Sequence, residues 1–89
     1  MNEWILVIDD DPNNLKAASH ILLKSGMRAS CVRSGEDALR FRQKSGERQP
    51  DLILLDIHMP GMDGFETLKH LRERNQSIPV VFLTADEDS

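Results

Sequence analysis

A single cysteine, Cys31, occurs in the 89 residues, so no intrachain disulfide can form and a disulfide-stapled secreted scaffold is excluded. Long apolar runs are missing too: the longest are strand-sized, against the roughly 20 residues needed to span a bilayer. The chain opens without a charged, apolar, small-residue leader, which makes the cytoplasm the expected compartment. Positive charge is in deficit, with 11 Lys and Arg against 15 Asp and Glu and a formal net charge of -4. That balance leaves no electrostatic footprint for direct binding to nucleic acid or to an anionic membrane. The length admits one small domain, residues 1–89, close to the size at which a single core only just suffices.

What the chain does contain is an alternation of four short apolar runs with three helix-like stretches, the pattern of a parallel α/β fold. The first run, Ile5, Leu6, Val7 and Ile8, is continuously apolar, as a strand covered on both faces must be. It ends in Asp9 and Asp10, and Asp11 followed by Pro12 reads as a helix N-cap with proline at the first helical position. Leu15, Ala18 and Leu22, with Ile21 beside them, give the helical stripe, and Gly26 ends it. Residues 29–32 form a weaker strand suited to a sheet edge. Ser34 to Asp37 resemble a capping box, and Ala38, Leu39 and Phe41 follow on the second helix. After a polar loop at residues 45–50, Leu52 to Leu55 read as a buried strand ending at Asp56. A loop stiffened by Pro60 and loosened by glycine leads to a third helix marked by Phe65, Leu68 and Leu71. Val80 to Leu83 then form a fourth strand ending at Thr84.

In a parallel sheet with right-handed crossovers all strands point the same way, so Asp9, Asp10, Asp56 and Thr84 share one rim. Doubly wound sheets bind ligands outside that rim. Two carboxylates about 4 Å apart repel by roughly 4 kcal/mol at an effective dielectric of 20, so three together call for a cation or a proton. Mg²⁺ suits such a pocket, because it takes oxygen ligands, keeps several waters and is commonly held by one or two carboxylates together with phosphate oxygens. The spacing therefore points to phosphoryl chemistry.

Residues 7–12 (VIDDDP), 51–64 (DLILLDIHMPGMDG) and 79–85 (PVVFLTA) resemble, in order and spacing, the signatures of the receiver domain of two-component response regulators. The resemblance covers essentially the whole chain. It implies a doubly wound, flavodoxin-like sheet of order 2-1-3-4-5, with Asp56 as the nucleophile that takes a phosphoryl group from a phosphohistidine. The donor would be a sensor histidine kinase or a phosphotransfer protein, and the product an aspartyl phosphate. It further implies Mg²⁺ as cofactor, bound directly by Asp10 and Asp56, largely through water by Asp9, and by the backbone carbonyl of His58. The Thr84 hydroxyl would bond a phosphoryl oxygen, and small Ala85 would leave it room. Such a domain is a signalling acceptor that assists only its own phosphorylation and dephosphorylation. The side chains of His58 and Asp86 are expected to set how fast water reaches the aspartyl phosphate.

Plainer roles stand beside these. Asp11 is expected to serve only as a cap and Asp63 to serve the turn. His20 and His70 are expected on solvated helix faces, and Cys31 and Trp4 as ordinary apolar packing. No zinc spacing surrounds the His58 imidazole. Receivers continue through a fourth helix, a fifth strand bearing a lysine and a fifth helix, which do not follow here. A C-terminally incomplete domain is therefore expected, and Val80 to Leu83 is as apolar as a central strand while left at an edge. One alternative is a phosphotransfer-impaired fragment that forms a homo-oligomer through that exposed fourth strand. Another, a phosphatase of the haloacid-dehalogenase type, needs a second Asp two residues after the nucleophile, where His58 stands.

Overall fold

Four strands and three helices alternate in the computed structural model, which describes residues 3–42, 49–74 and 77–83. They are β1 (Trp4–Ile8), α1 (Pro12–Lys24), β2 (Arg28–Val32), α2 (Gly35–Arg42), β3 (Leu52–Asp56), α3 (Gly64–Glu73) and β4 (Val80–Leu83). The strands pair in parallel in the order β2-β1-β3-β4, which matches the first four positions of the expected topology. The two continuously apolar runs, β1 and β3, are the central strands. Mixed-polarity β2 lies at one edge, and β4 is outermost on the other side among the described residues.

Successive side chains of a strand point to opposite faces, so each central strand feeds two cores. Leu6, Ile8, Ile53 and Leu55 are fully buried on the face covered by Ala38 and Leu39 of α2 and Leu71 of α3. Ile5 and Val7 pack against Leu15 of α1 on the other face, with Leu52 and Leu54 half-buried beside them. Each fully buried Leu or Ile stabilises the fold by about 1.5–3 kcal/mol relative to exposure.

Local signals fix the helix ends. Asp11 caps α1 by accepting the Asn13 N–H at 2.9 Å, and Pro12 stands at the first helical position. At the other end Gly26, with φ of +84°, lets its N–H reach the Leu23 carbonyl and the Met27 N–H reach that of Leu22, both at 3.0 Å. The Ser34 hydroxyl accepts the Asp37 N–H at 3.0 Å, while the Asp37 carboxylate pairs with Arg40 instead of reaching back to close the capping box. Asp63 caps α3 by accepting the Glu66 N–H at 2.8 Å, the turn-forming role expected of it.

Three packing expectations are corrected. Ile21 is 64% exposed, because it sits about 100° around α1 from Leu22 and so misses the sheet-facing stripe of Leu15, Ala18 and Leu22. Phe65 is likewise 59% exposed and lies against Phe82 with ring centroids 5.0 Å apart; the buried stripe of α3 is Gly64, Thr67 and Leu71. Cys31 is exposed, since β2 is an edge strand, and its sulfur lies 3.6 Å from the Ser19 hydroxyl. Trp4 does more than fill apolar space: its indole N–H donates to the Ser30 hydroxyl at 2.9 Å, and its ring meets Phe41 edge-on. The loop expected at residues 45–50 falls largely outside the described residues.

Candidate functional site

The pairing register brings the acidic residues together. Ile8 pairs with Leu55, so the next positions, Asp9 and Asp56, emerge side by side from strands about 4.8 Å apart. Carboxylate oxygens of Asp9, Asp10 and Asp56 all lie within 4.8 Å of one another. Asp9 and Asp56 are buried, only 3% and 8% exposed, and Asp10 is half-buried. The ladder holds this rim in place: the Asp9 N–H donates to the Val32 carbonyl at 3.2 Å and the Ile57 N–H to that of Leu83 at 3.3 Å.

The loop after β3 is folded back tightly. A side chain at position 64 would place its Cβ 2.5 Å from the Asp56 carbonyl oxygen and 2.8 Å from the Ile57 Cα. Glycine thus permits α3 to begin directly against the acceptor strand, and the Gly64 N–H donates to the Ile57 carbonyl at 2.9 Å. This revises the expectation that glycine loosens the loop: Gly64 is where it is tightest. Met59 is buried in the core and anchors the same segment.

Burial raises the Asp56 carboxyl above the ordinary aspartate range, and the neighbouring charge of Asp9 adds to that, as Asp10 does more weakly. The His58 N–H, 3.4 Å from Oδ1, works in the opposite direction. Asp9 is held at both oxygens, Oδ1 by the Asp11 N–H at 3.0 Å and Oδ2 by the Asn14 side-chain amide at 3.2 Å. Three hard oxygen donors, crowded and partly desolvated, fit a small divalent cation, and no histidine or cysteine side chain belongs to the group. Beside them a cleft of about 310 Å³ runs between the start of α1 and Leu83, lined also by Ala17, Ala18 and Ile21.

Of the other residues singled out, His58 lies two positions past Asp56 with an exposed side chain. Thr84, Ala85 and Asp86 lie outside the described residues. His20 is exposed, and His70 faces Glu73 across 3.2 Å on the surface of α3. Sequence inspection overlooked Asn14, the third residue of α1, although the first turn of a helix that follows an acidic strand end necessarily faces that end. It also passed over Arg33, which donates to the Asp10 carbonyl at 3.5 Å from the end of β2.

Comparison with known proteins gives a consistent result. The family profile described as "Response regulator receiver domain" matches residues 5–89. The chain is similar to the alkaline phosphatase synthesis transcriptional regulatory protein PhoP of Bacillus subtilis, at 36% identity over 88 residues covering 99% of this chain and 35% of that protein. It is also similar to the transcriptional regulatory protein AfsQ1 of Streptomyces coelicolor, at 39% identity over 84 residues, 94% of this chain and 36% of that protein. A probable histidine kinase 4 of Oryza sativa is 47% identical over 68 residues, 76% of this chain and 7% of its own length. The chain thus spans about a third of the length of the two transcriptional regulators. Among solved structures, the Francisella response regulator 1452 receiver domain superposes with a TM-score of 0.85 at 32% identity, covering 99% of this chain and 69% of that one. The Vibrio cholerae chemotaxis protein CheY4 gives 0.86 at 32% identity, covering 100% and 72%.

Proposed function

This chain belongs to the response regulator receiver domain family of two-component signalling, and we propose that Asp56 is its phosphoacceptor. The observation that carries the proposal is the cluster of Asp9, Asp10 and Asp56 within 4.8 Å at the carboxyl ends of the central strands. An Asp56 oxygen attacks the phosphorus of a phosphohistidine; the new O–P bond forms as the P–N bond breaks, and the bonding pair leaves with the imidazole. Asp10 and Asp56 would hold Mg²⁺ directly, Asp9 through water and His58 through its carbonyl. When bound, Mg²⁺ neutralises charge on the transferred phosphoryl oxygens. Gly64 and Met59 keep the acceptor strand end fixed, and the burial of Asp56 limits the water around it. The Thr84 hydroxyl takes a phosphoryl oxygen, with Ala85 leaving space, on the strength of the PVVFLTA signature.

The proposed partner is a sensor histidine kinase or phosphotransfer protein, a class supported by histidine kinases among the relatives. The domain acts as an acceptor on itself, with the cytoplasm as its compartment. Among the described residues no helix is long and apolar enough to cross a membrane. Incubation with Mg²⁺ and a small phosphodonor, followed by mass spectrometry, is expected to find one acid-labile phosphate on Asp56 that disappears in Asp56→Asn. A phosphate elsewhere, or none while Mg²⁺ binds, refutes the assignment.

A further inference from the structure

Asn14 has no place in the chemistry above, yet it lines the acidic cleft and donates to Asp9 Oδ2 at 3.2 Å. Only the amide nitrogen can make that bond, because an ionised carboxylate has no hydrogen to give. The Asp11 N–H takes the other oxygen, Oδ1, at 3.0 Å. Both donors come from the beginning of α1, so the two ends of the Asp9 carboxylate are tied to one rigid element and its plane is fixed. Asp56 is held differently: it accepts the longer contact from the His58 N–H at 3.4 Å and otherwise lies against the Asp9 carboxylate, which repels it. Among the described residues nothing donates to the Asp10 carboxylate. The three acids are therefore unequal: among the described residues only Asp9 has a donor on each of its two oxygens.

We propose that Asn14 is a positioning residue that holds Asp9 back from direct contact with the cation, and that it thereby sets the preference of the site for Mg²⁺ over Ca²⁺. The inference rests on the cation-binding role given to Asp10 and Asp56 above. Mg²⁺ keeps several waters and needs only one or two carboxylates in near-octahedral geometry, whereas Ca²⁺ takes six to eight oxygens and gains from each added carboxylate. With the amide in place, the site offers two carboxylates and leaves room for water. Without it, Asp9 is held only at Oδ1 and can turn Oδ2 towards the ion, giving a third anionic oxygen in a looser arrangement. That change favours the larger cation.

Asn14 is exposed on its outer side at the start of α1, so its replacement leaves the core intact. Asn14→Leu and Asn14→Ala remove the donor with and without a comparable side-chain volume, and Asn14→Gln keeps an amide on a longer arm. Mg²⁺ and Ca²⁺ dissociation constants of the full 89-residue chain are measured by calorimetry, with circular dichroism confirming the fold. Both donorless variants are expected to move the Mg²⁺-to-Ca²⁺ affinity ratio towards Ca²⁺ by on the order of tenfold, with Asn14→Gln recovering part of it. A purely structural role for Asn14 lowers the melting temperature and leaves the ratio alone. An unchanged ratio in both folded donorless variants, with Mg²⁺ still bound by the unaltered chain, overturns the inference. Failure of the unaltered chain to bind either cation defeats the cation-binding role itself, and the inference with it.

Discussion

The two faces of the sheet share the same two central strands, and the described residues cover them to different degrees. On the α2 and α3 side, Leu6, Ile8, Ile53 and Leu55 are fully buried and Met59 and Ile78 complete the cover. On the α1 side, Ile5, Val7 and Leu15 are buried, but Leu52 and Leu54 remain half-buried. The cleft beside the carboxylates opens on this less covered side, between α1 and Leu83. The well-covered face fixes where Asp56 sits, and among the described residues the acidic group is reached from the less covered one.

Truncating one residue on each face gives the largest test of this asymmetry. Leu55→Ala is expected to lose about 2–5 kcal/mol in urea unfolding, since it empties a fully buried position. Leu22→Ala, on the half-covered side, is expected to lose about 1 kcal/mol. Equal losses would erase the distinction between the faces.

Gly64 sharpens the comparison at the point where the well-covered face meets the site. Gly64→Ala is expected to cost about 1–3 kcal/mol and to reduce phosphorylation of Asp56, because the new methyl group collides with the Asp56 carbonyl. Gly26→Ala is the control: it also strains a residue, at φ of +84°, but meets no neighbour and lies at the far end of α1. It is expected to cost about 1 kcal/mol and leave phosphorylation intact. If both variants lower phosphorylation alike, the close approach at Gly64 has no special bearing on the site.

The smallest effect belongs to the acidic group itself. Because the Asp56 carboxyl is raised, the folded chain binds that proton more tightly than the unfolded chain does. This contribution to stability is fully present below the unfolded value and is lost as pH rises through the raised folded value. The metal-free protein is therefore expected to melt lower at pH 7 than just above the ordinary aspartate range. Asp56→Asn is expected to melt higher than the unaltered chain at pH 7, with the gap closing in acid. Mg²⁺ should narrow the gap at pH 7, and a gap that is independent of both pH and Mg²⁺ counts against electrostatic strain at Asp56.

Much of the site could be read from the chain because its causes are local. An apolar run that stops at an acid, repeated at Asp9 and Asp56, becomes a shared rim once the strands are parallel. Asp11 and Asp63 make their caps with residues two and three positions away. The exposure of Cys31 and Phe65 was not readable in this way. A cysteine in an apolar-looking strand is buried or exposed according to which strand lies beside it, and β2 has a strand neighbour on one side only among the described residues. Phe65 continues the apolar spacing of α3, but the helix is rotated so that Thr67, whose hydroxyl donates to the Asp63 carbonyl at 2.8 Å, takes the inner position.

The sequence by itself determined the alternation of strands and helices, the parallel sheet, the helix caps and the identity of the acids at the strand ends. All of these follow from hydrophobic period and from hydrogen bonds between residues a few positions apart. Only the tertiary structure decided which oxygens of those acids are already held, how closely α3 approaches Asp56, and which face of the sheet the described residues cover less. Those depend on how closely one segment approaches another, such as the 2.5 Å that would separate a Cβ at position 64 from the Asp56 carbonyl oxygen, and on how each helix is turned on the sheet. Spacing along the chain specifies a helix face to within a residue or so, whereas a hydrogen bond such as that from Asn14 to Asp9 needs its two atoms placed to within a few tenths of an ångström.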